Sequence, residues 1–283
     1  MHSVAANPIV LSIAGFDPAG GAGVLADIKT LAANDCYGVA VVTATTVQNS
    51  RAAERLFPLP AKLVREQLDF LTADIAPRAV KIGILANAEL TAMVVDFLQH
   101  LAGVPVVLDP VLAATSGLPM LEPEAIALVT ERLLPLCTVI TPNRNEAARL
   151  SGLAADTPPQ MEAAARALHQ RGAANVVVTG GDLDKPSDLF FDGQQAVLLG
   201  GDRVRTSNTH GTGCTFSAAL AANLALGKQV SDAVVQAKAY VTAALKQSYP
   251  VGAGAGPLNH FFRWHEPPRA QTDPVPAEEH IGR

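Results

Sequence analysis

The chain has 283 residues and a formal net charge of −5, with 49% hydrophobic, 17% charged and 5% aromatic residues. That apolar fraction excludes a disordered chain, and 21 Lys plus Arg against 26 Asp plus Glu, with no basic block, argues against binding nucleic acid by phosphate neutralisation. Three cysteines (Cys36, Cys137 and Cys214) without C-x-x-C spacing argue against a disulfide framework or structural zinc and fit a reducing cytoplasm.

Residues 1–8 lack a basic segment followed by an apolar run, and no uninterrupted apolar stretch reaches the roughly 18 residues of a membrane span, so a soluble, non-exported protein is expected. Short Val/Ile-rich runs alternate with helical patterns, which predicts a three-layer α/β/α fold with a central, mostly parallel sheet. In chain order the candidate strands are Ile9 to Ile13, Gly38 to Thr45, Ala79 to Gly83, Val104 to Asp109, Thr138 to Thr141 and Asn175 to Thr179. Val24, Leu25, Ile28 and Leu31 recur at helical spacing, as do Leu63, Gln67, Phe70 and Leu71 after Pro60. Beyond Gly181, Asp188 to Asp192, Ala196 to Leu199 and Arg203 to Ser207 read as antiparallel additions to the sheet edge. Two Ala-rich helices follow, near Thr212 to Leu226 and Ser231 to Gln247. Residues 266–283 carry four prolines and read as a flexible tail, which leaves 1–265 as a single domain.

Ligands of parallel α/β sheets bind beyond the carboxyl ends of the strands, so the loops there carry the functional reading. The first, Ala14 to Gly23, is a glycine-dense turn between strand and helix. Its Gly21-x-Gly23-x-x-Ala26 run imitates a dinucleotide fingerprint, but the glycines start several residues after the strand and no acidic residue follows about 20 positions on. A glycine turn with no ligand stays open. The second loop, Asn208 to Thr215, runs straight into an apolar helix. Successive N–H groups of Gly211, Thr212, Gly213 and Cys214, backed by the helix dipole, would make an anion hole. A thiol at a helix N-terminus is expected to have a lowered pKa, so Cys214 reads as a base or nucleophile near neutral pH, whereas His210 reads as structural. Asp109, ending one strand, and Glu146, after the next, are candidates to share a hydrated Mg²⁺, although Glu146 fits a first-turn helix position equally well. Together these features read as phosphoryl transfer.

The runs Ala14 to Gly23, Lys81-Ile82-Gly83, Leu108-Asp109-Pro110-Val111, Leu134 to Glu146, Asn208 to Cys214 and Gly252-x-Gly254-x-Gly256-Pro257 resemble the hydroxymethylpyrimidine/phosphomethylpyrimidine kinases of thiamine biosynthesis, within the ribokinase-like superfamily. The resemblance covers roughly Ile9 to Trp264. It implies a ribokinase-like fold, ATP and Mg²⁺ as cofactors, and two successive phosphorylations of 4-amino-5-hydroxymethyl-2-methylpyrimidine. It implies Cys214 as the base in the anion hole, with Asp109 and Glu146 organising metal and phosphate. Gly180, Gly181, Thr209 and Lys238 would lie along ATP, and Gln48, Asp27, Gly15, Ile84 and Val111 would surround the pyrimidine. The Gln48 amide suits such a ring, since its carbonyl accepts from an amine while its NH₂ donates to a ring nitrogen. A homodimer is also implied.

Phe16, Ala19, Ala114 and Thr179 depart from the pattern, the last two where a lysine is frequent. A missing cation beside phosphate removes a contact worth about 1.5–3 kcal/mol, which bears most on the second phosphorylation. Alternative readings are a pyridoxal or pyridoxine kinase of the same superfamily and a non-catalytic ligand-binding relative.

Overall fold

A computed structural model describes residues 6–101 and 103–264. The first strand, β1 (Ile9–Phe16), is an apolar run buried on both faces, as a central parallel strand must be. Helix α1 (Gly23–Ala33) returns the chain to β2 (Tyr37–Gln48), parallel to β1, which turns back antiparallel as β3 (Ala53–Pro58). Helix α2 (Ala61–Asp74) leads to β4 (Ala79–Ile82) on the other side of β1, and α3 (Ala88–Leu98) to β5 (Val106–Leu108). After α4 (Pro123–Leu128) come β6 (Val139–Ile140), α5 (Arg144–Ser151), α6 (Pro158–Gln170) and β7 (Val176–Val178), continuing the parallel sheet. Strands β8 (Ser187–Phe191) and β9 (Ala196–Gly200) add antiparallel, and α7 (Thr212–Ala225) and α8 (Val230–Lys246) complete the fold. The sheet order is β3-β2-β1-β4-β5-β6-β7-β8-β9, so the chain changes direction across the sheet at β1 and β4.

Strand alternation divides the apolar residues into two layers. Leu11, Ile13, Val80, Ile82, Leu108 and Ile140 pack under α2 to α6, while Val10, Ala79, Val107 and Val139 pack under α1, α7 and α8. Helix α7 is buried almost all round from Thr215 onward, which explains its run of alanines and small residues between the sheet and its helical neighbours.

Several details differ from the sequence reading. In α2 the buried stripe is Ala61, Val64 and Leu68, whereas Leu63 and Phe70 are 42% and 86% exposed. The apolar spacing found the helix but named the wrong face. Strand β3 was missed because only Ala53 of its six residues is buried, so it carries little of the apolar signal of a core strand. Residues 203–207 form no strand, since β9 already ends the sheet and they run back toward α7. The proposed tail, 266–283, lies outside the described residues.

Candidate active site

A cavity of about 400 Å³ opens at the carboxyl ends of β1, β2, β4, β5, β6 and β7, where the strand order reverses. It brings together Gly15, Gln48, Ile84, Asp109, Val111, Glu146, Thr209 and the Gly211–Cys214 turn. These positions span most of the chain, so only the parallel topology makes them neighbours. The β2–β3 hairpin and the loop 113–119 roof the cavity, joined by Ser116 Oγ, which accepts from Ala53 N–H at 3.3 Å and donates to Ala53 O at 3.2 Å.

Helix α7 begins on Gly211, held in the left-handed conformation at φ 79°. A side chain there would collide with the Gly21 carbonyl, so glycine is required both by conformation and by the approach of the first loop. Thr212 N–H turns back to Thr209 O at 3.3 Å, whereas the N–H groups of Gly213 and Cys214 have no acceptor among the described residues. They are the unsatisfied donors of a helix N-terminus and face the cavity as an anion cradle.

Cys214 lies in this cradle, half-buried. Its environment corrects the expectation of a lowered pKa. Burial pushes the thiol up to about 12, with the carboxylates of Asp109 and Asp27 adding to the shift and Lys81 and the Gly23 N–H opposing it. Desolvation beside two acids outweighs the helix N-terminus. Cys214 is therefore a protonated thiol in the ligand-free protein, with Asp109 close enough to influence it.

Asp109 follows β5, takes a hydrogen bond from Ser217 Oγ at 3.2 Å, and has its pKa raised chiefly by burial. Glu146 forms a capping box at the start of α5: its Oε2 accepts from Asn143 N–H at 2.9 Å while the Asn143 side chain accepts from Glu146 N–H at 2.9 Å. Burial first, and the neighbouring Asp109 second, push the Glu146 carboxyl up to about 8. The first-turn helix position is thus observed, and the same carboxylate also lines the cavity. Two carboxylates that repel one another across a buried space form a donor set that a hydrated dication would neutralise. Among the described residues no group of three or more His, Cys, Asp or Glu side chains converges as a metal site, so the remaining ligands would be water and phosphate.

Asp27 does not line the cavity. It is fully buried beneath it, with Oδ2 2.9 Å from Lys81 Nζ and 2.6 Å from Ser12 Oγ. The alternation of β4 explains this: Lys81 faces the α1 and α7 side, where an unpaired ammonium would be prohibitively costly, and α1 supplies the partner. Gly180, Gly181 and Lys238 also lie outside the cavity lining, on the flank beyond β7 and β8. Lys238 Nζ pairs with Asp188 Oδ2 at 2.7 Å, and Asp188 Oδ1 accepts Gly180 N–H at 3.0 Å. Sequence reasoning passed over Asp17 and read His210 as structural; the two meet at 2.8 Å on the cavity wall. The signal for Asp17 was present, because Asp-Pro-Ala-Gly is the composition of a tight turn in which the Asp side chain accepts backbone N–H groups.

A sequence profile described as Phosphomethylpyrimidine kinase matches residues 17–259, a span that holds the anion cradle, both acids and Gln48. The chain belongs to this phosphomethylpyrimidine kinase family. A hydroxymethylpyrimidine/phosphomethylpyrimidine kinase of Rhizobium meliloti is 45% identical over 261 residues, covering 90% of this chain and 98% of the relative. The corresponding protein of Haemophilus influenzae is 41% identical, covering 89% and 96%. Among solved structures, an ADP complex of Bacillus subtilis pyridoxal kinase superposes with a TM-score of 0.85 at 37% identity, covering 92% of this chain and all of that one. A phosphomethylpyrimidine kinase of Clostridium difficile superposes with a TM-score of 0.75 at 34% identity, covering 84% and 100%. The fold of this phosphomethylpyrimidine kinase family member is thus ribokinase-like, as the sequence resemblance implied.

Proposed function

We propose that this member of the family is an ATP-dependent kinase of thiamine biosynthesis that phosphorylates 4-amino-5-hydroxymethyl-2-methylpyrimidine and then its monophosphate. The observation that carries the reading is one cavity in which the free N–H groups of the α7 N-terminus, the thiol of Cys214 and the carboxylate of Asp109 face the amide of Gln48. A ring held by Gln48 against Ile84 and Val111 would place its hydroxymethyl group in the cavity that Cys214 and the cradle also line.

Phosphoryl transfer through a loose transition state needs little covalent chemistry from the protein and much charge stabilisation and alignment. The cradle N–H groups meet charge developing on the transferred phosphoryl oxygens. The protonated thiol orients the substrate hydroxyl for in-line attack by accepting its hydrogen bond at sulfur, and the hydroxyl proton passes to a phosphoryl oxygen as the new bond to phosphorus forms and the bond to the departing ADP breaks. Asp109 and Glu146 would hold Mg²⁺, which when bound would neutralise phosphate charge. Bound ATP would extend from the cradle past Thr209 toward the β7–β8 flank, where Asp188 couples Lys238 to Gly180. The monophosphate adds an anion to the site; Ala114 and Thr179 line the cavity without supplying a cation, and Arg51 on its hairpin wall is the charge available for it.

Pyridoxal is a second candidate substrate, favoured by one observation: a Staphylococcus aureus pyridoxal kinase described with AMP-PCP and pyridoxal superposes with a TM-score of 0.84. The oligomer is read as a homodimer, a role for which the exposed Phe57, Leu63 and Phe70 offer apolar surface. A cytoplasmic location agrees with three free cysteines and with the absence, among the described residues, of any helix long and apolar enough to cross a membrane.

The test is a steady-state assay of Cys214→Ala and Asp109→Asn with the pyrimidine. Loss of two or more orders of magnitude in kcat, on the scale of removing one charge-stabilising or proton-handling group, is expected in each folded variant. Near wild-type turnover in both would overturn the assignment.

A further inference from the structure

Asp17 and His210 sit on the two loops that close over the end of β1, and the loops interlock. A side chain at Gly21 would collide with the His210 ring, and one at Gly211 with the Gly21 carbonyl. The Asp17 carboxylate is 4% exposed and contacts only donors: Oδ1 accepts Ala19 N–H at 2.8 Å, while Oδ2 accepts Gly21 N–H at 3.1 Å, Ala22 N–H at 2.9 Å and His210 Nε2 at 2.8 Å. Burial alone would raise its pKa, but the bonds from His210, Ala19 and Ala22 hold it below the usual carboxylate range. Asp17 is an anion, and an anion 2.8 Å from a ring nitrogen places a proton on that nitrogen.

Gln48 ends β2, and its amide is placed with the nitrogen, Nε2, 3.2 Å from the same His210 Nε2. A nitrogen whose N–H points at Asp17 has no lone pair to receive another donor. An NH₂ group at that position would set two donors against each other, whereas the amide oxygen shares the histidine N–H. The two ends of an amide have the same shape, so the hydrogen bonds decide which end is which.

We propose that Asp17 and His210 are a positioning pair that fixes the Gln48 amide with its oxygen toward His210 and its NH₂ toward the cavity. The site then selects heteroaromatic rings that offer an unprotonated ring nitrogen to that NH₂, with the second lone pair of the oxygen left for an adjacent amine. A ring presenting N–H at the same position meets a donor and is disfavoured. This inference rests on the reading of Gln48 as the residue that faces the ring.

Two measurements on the full chain test it. Long-range ¹H–¹⁵N NMR of the ligand-free protein, with the His210 signals assigned by their loss in His210→Asn, reads the tautomer without reference to activity. A protonated Nε2 and an unprotonated Nδ1 are expected, and an Nδ1–H tautomer would overturn the pair. Kinetics of His210→Leu, checked for an unchanged unfolding midpoint, should show KM for the pyrimidine raised about tenfold and KM for MgATP within about twofold. His210→Gln, which keeps an N–H donor for Asp17, should recover most of the loss. Equal changes in both KM values would mark a general loss of loop structure and reject positioning. The expected tautomer in a protein that turns over no pyrimidine would leave the pair standing and reject the substrate reading instead.

Discussion

Lys81→Met tests the logic of the buried ion pair at the floor of the cavity. The Lys81 and Asp27 side chains are both 0% exposed and 2.9 Å apart, and Ser12 adds a hydrogen bond of 2.6 Å to the same carboxylate oxygen. Burial alone would lower the pKa of Lys81, but the charge of Asp27 raises it above the ordinary value, so the ammonium stays charged. At that separation and an effective dielectric of roughly 20 the attraction is about 6 kcal/mol. Desolvation costs several kcal/mol per ion, so the intact pair is close to neutral for stability. A single member keeps its own desolvation cost and loses the attraction. Lys81→Met is therefore expected to destabilise by about 3–5 kcal/mol. Lys81→Met combined with Asp27→Asn removes both charges and leaves Ser12 an acceptor. It should recover to within roughly 2 kcal/mol of wild type, the remainder being a buried amide edge where Asp27 Oδ1 already has no partner. Urea unfolding of the three proteins closes the cycle, with the thermal midpoint falling by about 2 °C per kcal/mol. A single variant within about 1 kcal/mol of wild type, or a double variant no more stable than the single, would refute the reasoning.

Other consequences follow from the same geometry. His260 is buried, with its pKa lowered to about 4 by burial and then by Lys29, against about 6.5 unfolded. Its neutral form is favoured by folding, so its contribution is complete above pH 6.5 and shrinks as pH falls toward 4. Unfolding in urea should show a loss of about 2 kcal/mol between pH 7 and 5 that His260→Gln abolishes. Gly211→Ala, forced into positive φ and against the Gly21 carbonyl, should lower the unfolding midpoint by the equivalent of at least about 2 kcal/mol. Gly213→Ala meets only Asp109 at 3.7 Å and should fold normally, so equal midpoints for the two would contradict the cradle geometry. With its pKa near 12, the Cys214 thiol should react with iodoacetamide at pH 7.5 no faster than an ordinary cysteine, followed by mass spectrometry; rapid labelling would show that the helix N-terminus wins after all.

The parallel core was legible because it is apolar on both faces: four of the six early candidate strands end within two residues of the observed ones, and β1 and β2 each run three residues further, to Phe16 and Gln48. The mostly exposed β3 and the buried stripe of α2 were not, because exposure and face are set by which neighbour the chain returns to. At the site, the glycine turns and strand-end acids were readable from chemistry local in sequence. The opposite sign of the Cys214 shift was not, since it arises from burial, with Asp109 and Asp27, 105 and 187 residues away along the chain, adding to it. A similarly long separation hid the contact of His210 with Asp17, 193 residues earlier. Asp27 was misplaced for a related reason: nothing local in α1 announces that β4 carries a lysine directly opposite.

The central claim is tested most directly by incubating the protein with MgATP and 4-amino-5-hydroxymethyl-2-methylpyrimidine, with pyridoxal in parallel, and following products by mass. The account predicts the pyrimidine monophosphate followed by the diphosphate, at a kcat/KM above that for pyridoxal. Phosphorylation of pyridoxal with the pyrimidine untouched, or no turnover of either alcohol, would contradict it.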